Sequence, residues 1–88
     1  MSQPAGGLSF PAHHPIKAVG HNLPEFKPRM LQCLQEELGQ DSAIEVSEKL
    51  SRDAGFISLT LTVWVDSREQ LERIYQRLHA SGLLLFAL

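Results

Sequence analysis

Cysteine is nearly absent from this chain: Cys33 stands alone among 88 residues. One thiol closes no internal disulfide and supplies no cysteine cluster for zinc, so a reducing compartment is the natural expectation. An excess of positive charge is also missing. Eight Lys and Arg face ten Asp and Glu, the formal net charge is −2, and the cations are scattered. Nucleic-acid binders of this size usually carry a basic patch. No stretch of 18 apolar residues occurs, so no membrane-spanning helix is expected. Met1 to Leu8 has neither the basic residues nor the apolar run of a secretory leader. These absences predict a cytoplasmic protein with no cofactor, no metal, no membrane and no nucleic acid.

The residues that are present suffice for one core. For 88 residues, surface scaling gives roughly 14,000 Å² unfolded and roughly 5,000 Å² folded, so about two-thirds of the surface is buried. Residues 1–11 are rich in Gly, Pro, Ala and Ser and read as a flexible tail with Phe10 as its one anchor. Residues 12–88 read as a single domain.

The run from Phe56 to Val65 is the strongest structural signal. Ile57, Leu59, Leu61, Val63 and Val65 alternate with Phe56, Ser58, Thr60, Thr62 and Trp64. Successive side chains of a strand point to opposite sides of a sheet. One side is therefore a core face, and the other is a row of hydroxyls between two aromatics. His14 to Gly20 reads as an earlier strand, with Ile16 and Ala18 on one face and Lys17 and Val19 on the other. Ala43 to Leu50 is a poorer strand, because Glu48 interrupts the face of Ile44, Val46 and Leu50. An inward charge of this kind suits an edge. Leu83 to Leu88 is short and apolar and reads as a final strand.

Two stretches have helical spacing. Phe26, Met30, Cys33, Leu34 and Leu38 form one stripe within Pro24 to Leu38. Pro28 is tolerable only in the first turn, which places the start near Glu25 or Phe26. Gly39 suits the stop. Leu71, Ile74, Tyr75 and Leu78 form the second stripe, opened by the capping pattern Ser67-Arg68-Glu69-Gln70. Glu69 precedes Arg73 by one helical turn and predicts a surface ion pair. Glu36 and Glu37 are expected on a solvated surface.

The order is βαββαβ. Two helices with one apolar stripe each can cover one sheet face, which predicts a two-layer α+β sandwich of the ferredoxin-like type. The expected sheet is four-stranded and antiparallel, in the order 4-1-3-2, with both helices on one face.

An ordered set of residues then resembles a family. Phe10-Pro11, Pro15-Ile16-Lys17-Ala18-Val19-Gly20, Leu23-Pro24-Glu25-Phe26, the hairpin and strand residues Ser51, Gly55, Phe56, Ser58, Thr60 and Thr62, and the segment Ser67 to Tyr75 are similar to the small bacterial YbeD-like proteins, a family of unknown function. The resemblance implies an ACT-like βαββαβ fold and no activity or catalytic residues. It also implies an association with lipoate metabolism through gene neighbourhood.

Several sites follow from the residues. The open-face row Phe56, Ser58, Thr60, Thr62 and Trp64 suits a protein partner or self-association, and an ordinary solvated face with a partly covered Trp64 explains it equally well. RNA-recognition sheets stack bases on neighbouring aromatics. Phe56 and Trp64 stand about 26 Å apart along a strand, which disfavours an RNA-binding module. Gly20, His21 and Asn22, with Lys17 nearby, lead into a helix start and could hold a small anionic effector. A tight turn with a local Asn cap explains them better, because a single glycine before a helix is a weak signal. His13 and His14 point to opposite faces and do not chelate a metal together. Cys33 belongs to a helix stripe and reads as a buried hydrophobe. No catalytic constellation is apparent, so the expectation is a non-enzymatic regulatory or adaptor module. The alternative is an accessory subunit or small enzyme of lipoyl metabolism.

Overall fold

Alternation in the sequence becomes alternation in burial along the central strand. Ile57, Leu59, Leu61, Val63 and Val65 are buried, while the residues between them are exposed or partly so. The computed structural model describes residues 9–88. Of the tail expected over residues 1–11, residues 1–8 lie outside the described residues.

The elements run β1 (Ala12–His21), α1 (Phe26–Leu38), β2 (Glu45–Leu50), β3 (Phe56–Val65), α2 (Arg68–Ala80) and β4 (Leu84–Ala87). They form one antiparallel sheet in the order β2-β3-β1-β4, which is the predicted order read from the other edge. β1 extends beyond its predicted ends because it pairs with β3 over ten positions, from Ala12 opposite Val65 to His21 opposite Phe56. β2 begins later than predicted. Ser42 turns back on α1, donating its N–H to Gly39 O at 3.2 Å and its hydroxyl to Leu38 O at 2.7 Å.

The core lies between the sheet and both helices. Phe26, Met30, Cys33 and Leu34 enter from α1, and Leu71, Ile74 and Leu78 from α2. Ile16, Ala18 and the buried row of β3 meet them. Phe10 packs against this cluster, and its ring stacks on His14 at 4.8 Å.

The helix ends follow from local chemistry. Pro28 is the third residue of α1, inside the first turn, where a missing N–H breaks no intrahelical bond. Ser67 caps α2 by accepting from Gln70 N–H at 3.1 Å. The Gln70 side chain returns to Asp66 N–H at 2.8 Å, one residue before the usual partner in a capping box.

Two expectations about charge are corrected. Arg73 does not pair with Glu69; its Nε–H donates to Glu37 on α1 at 2.7 Å. Arg77 donates to the other Glu37 oxygen at 3.0 Å. Glu37 is consequently a nearly covered link between helices, with its side chain 9% exposed, instead of a solvated surface group. Glu48 sits on the helix side of β2, opposite Leu59, and accepts from Lys27 Nζ at 3.0 Å. The inward edge charge is thus paired with the start of α1.

Candidate functional site: the open sheet face

With both helices on one side, the other face of the sheet is left uncovered. The register assembles it row by row, because residues directly opposite each other share a face. Lys17, Thr60 and Ser47 form the middle row. Val19, Ser58 and Lys49 lie on one side of it, and Pro15, Thr62 and Glu45 on the other. His21 with Phe56 and His13 with Trp64 close the two ends. The rings of each end pair touch, at centroid distances of 5.2 Å for His21–Phe56 and 5.0 Å for His13–Trp64. Trp64 Nε1–H also donates to Asp66 at 3.1 Å, which holds the indole in place.

β4 adds apolar surface to this face. Phe86 lies opposite Val19. Leu88 exchanges both backbone hydrogen bonds with Lys17, at 2.9 and 3.1 Å, and so lies beside it. Exposure is 41% for Phe56, 49% for Trp64, 49% for Phe86 and 69% for Leu88. Sequence reasoning identified the β3 row and missed the contribution of β4. Strand order 4-1-3-2 places the final strand beside the first, but the register shifts between Val19 and Gly20, so alternation alone does not say which β4 residues join the open face. Shallow recesses open onto this face. One of about 310 Å³ lies among Glu45, Val46, Ser47, Thr60 and Thr62. Another of about 280 Å³ takes in Lys17, Lys49, Phe56 and Ser58.

The residues proposed for a small effector are not brought together. Lys17 stands in the centre of the open face, opposite Thr60. His21 turns to Phe56. Gly20 is buried on the core side, where a Cβ would press on the Phe26 ring and lie 2.8 Å from Leu83 O. Asn22 donates its side-chain N–H to Ala54 O at 2.9 Å and its backbone N–H to Gly55 O at 3.1 Å. The turn is therefore a clasp onto the β2–β3 hairpin.

Four titratable groups depart from their ordinary values, each for a local reason. The hydrogen bond from Arg73 leads in holding the Glu37 carboxyl down. The Gly55 N–H, followed by the Ser51 hydroxyl, holds Asp53 down inside the hairpin turn. Burial pushes the Cys33 thiol up and the Tyr75 phenol up. Among the described residues no group of three His, Cys, Asp or Glu is placed to hold a metal ion, and no helix is long and apolar enough to cross a membrane.

A four-stranded antiparallel sheet with two helices on one face and a bare opposite face defines a ferredoxin-like domain of the ACT-like kind. Two solved structures share this fold. The solution structure of protein HP0495 from H. pylori superposes with a TM-score of 0.76 at 13% identity, covering 92% of this chain and 85% of the other. The ACT domain from GTP pyrophosphokinase of Chlorobium tepidum gives a TM-score of 0.65 at 14% identity, covering 86% and 94%. Residues 6–88 match the family described as "Protein of unknown function (DUF493)", and the chain belongs to that family. Its relatives include a UPF0250 protein of Bordetella pertussis, 34% identical over 92% of this chain and 89% of the relative. A UPF0250 protein of Paraburkholderia phytofirmans is 35% identical over 81% of this chain and 80% of its own length. These matches bear out the YbeD-like resemblance.

Proposed function

We propose that this chain is a non-enzymatic regulatory or adaptor module that docks a protein partner on its open sheet face. The observation that carries this reading is the uncovered apolar surface of Phe56, Trp64, Phe86 and Leu88 on one side of the sheet. Exposed apolar patches with polar residues among them are characteristic of protein-binding surfaces. Serine and threonine hydroxyls fill the centre of this one. The perturbed titratable groups each have a structural partner or are simply buried, which favours binding over catalysis. The turn at Gly20 to Asn22 spends its polar groups on its own hairpin, which favours a protein partner over a small effector. In the lipoate setting implied by the family resemblance, the module would serve lipoyl metabolism.

Capture from a lysate of the source cells, with the wild type and a Thr60→Arg/Thr62→Arg variant as baits, tests the reading. The variant is expected to lose proteins that the wild type retains, at unchanged thermal stability. Identical retained sets would overturn the sheet face as the docking surface.

A further inference from the structure

The open face has an internal symmetry. On β2, Glu45 lies opposite Thr62 and Lys49 opposite Ser58, one step to either side of the middle row Ser47, Thr60 and Lys17. On β3, Phe56 and Trp64 lie at equal distances from Thr60, in opposite directions. Opposite charges and two aromatics are thus arranged evenly about one row. Consider a two-fold axis along that row, parallel to the sheet and perpendicular to the strands. It lays a second copy face down with its strands antiparallel to the first. Lys49 then meets Glu45 of the second copy, and Glu45 meets its Lys49. Phe56 meets Trp64 of the second copy at each end, and Ser58 meets Thr62. We infer that the open face seats a second copy of this chain in this arrangement; the inference rests on the docking reading above and names its occupant.

Charge availability supports it. Among the described residues the ion pairs are Lys27–Glu48, Arg73–Glu37 and Arg77 with Glu36 and Glu37. Glu45 and Lys49 take part in none of them, so their charges remain for a partner. The area also fits. Strands of ten, six, ten and four residues present about 500 Å² per copy, from a rise of about 3.4 Å and a spacing of about 4.8 Å. The total of about 1,000 Å² lies below the standard interface size and suits a weak, concentration-dependent pair. A two-fold contact of this kind closes on itself and yields a dimer, not a chain of copies. Its strength depends on concentration and falls with salt. One element opposes it: Lys17 lies on the axis row and meets its own copy. Its long stem lets the ammonium reach solvent, at some cost.

Sedimentation velocity on the full chain over a wide concentration series tests the proposal. The wild type is expected to shift from monomer to dimer as concentration rises. Lys49→Glu and Glu45→Lys should each weaken association about tenfold, because like charges then face each other. The double variant Glu45→Lys/Lys49→Glu should restore it. Lys17→Gln should tighten it. All three positions are exposed, and matching thermal unfolding confirms that the variants fold. A wild type that stays monomeric overturns the inference, as does a dimer indifferent to both single reversals or a swap that fails to rescue. A monomer whose lysate capture still depends on Thr60 and Thr62 overturns the second copy and leaves the docking reading standing. A monomer whose capture is also indifferent to them overturns both.

Discussion

Arg73 on α2 donates its Nε–H to Glu37 on α1 across 2.7 Å, and this bond fastens the two helices above the sheet. The contact displaces the local partner that helical spacing offers to Arg73, the Glu69 one turn earlier. Glu37 gains more from the arrangement because it receives Arg77 as well, at 3.0 Å. Two guanidinium groups on one nearly covered carboxylate make a charge-assisted junction. A single exposed pair would contribute little.

Glu37→Gln should therefore lower stability at neutral pH by about 1 kcal/mol, read as a lower denaturation midpoint. The pH dependence follows from the direction of the shift. Arg73, by its hydrogen bond first and with the Arg77 bond adding to it, holds the Glu37 carboxyl below the ordinary 4.5 against the opposing effect of burial. The folded value is below the unfolded one, so this stability is fully present above the unfolded value. It is lost as pH falls through the folded value. The gap between wild type and variant should close in acid. An equal gap at pH 7 and in strong acid would show that ionisation of Glu37 is not its source.

Gly20 is required by space. Its conformation is an ordinary strand one, yet a Cβ there would press on the Phe26 ring, with Phe26 Cδ1 at 2.7 Å and Leu83 O at 2.8 Å. One of these neighbours is backbone and cannot rotate away. Phe26 is itself fully buried, so its ring has little room. Gly20→Ala should cost about 1–3 kcal/mol through overpacking. Thermal unfolding of the two proteins checks this, and an unchanged midpoint would show that the β1–α1 junction is softer than its packing implies.

The contrast between Gly20 and the β3 row shows what was legible beforehand. β3 alternates because its two faces meet different surroundings, and that difference is written residue by residue. The helix stripes through Met30 and Leu34, and through Leu71, Ile74 and Leu78, are legible for the same reason. Strand order then follows from the βαββαβ connectivity, whose two right-handed crossovers put both helices on one face. Contacts between distant segments leave no local periodicity. Nothing near Asn22 announces that it will clasp Ala54. Nothing near Glu37 announces two arginines more than thirty residues away. The open face was half visible: Phe56 to Trp64 could be read directly. Lys17, Lys49 and Phe86 join it only once the register is known.

Cys33 should be chemically silent in the folded protein. It is 1% exposed, and its S–H donates to Arg77 O at 3.4 Å. Burial leads in pushing the thiol above its ordinary 9.0, which keeps it protonated at neutral pH, and the thiolate is the reactive form. Labelling by a disulfide reagent should proceed only as fast as the core opens. The rate should rise steeply across the denaturation midpoint. Rapid labelling under fully native conditions would show that α1 separates locally from the sheet without global unfolding.

Glu48 should trade stability against solubility. It lies on the helix side of edge strand β2, opposite Leu59, with Lys27 Nζ at 3.0 Å. Both side chains are 46% exposed, so the pair is worth under about 1 kcal/mol. Valine at this position would extend the apolar face of Val46 and Leu50 and favour the strand conformation. Glu48→Val should thus leave the unfolding temperature equal or slightly raised. It also removes the inward charge that keeps the free edge from pairing with other strands. That pairing is edge to edge and need not close into a dimer, so the variant should scatter light on mild heating while the wild type stays clear. Lys27→Ala provides the control: it breaks the same ion pair but leaves the carboxylate on the edge, and should not aggregate. If Lys27→Ala scatters as strongly as Glu48→Val, the protection comes from the ion pair itself and not from a charge placed on the inward side of the edge.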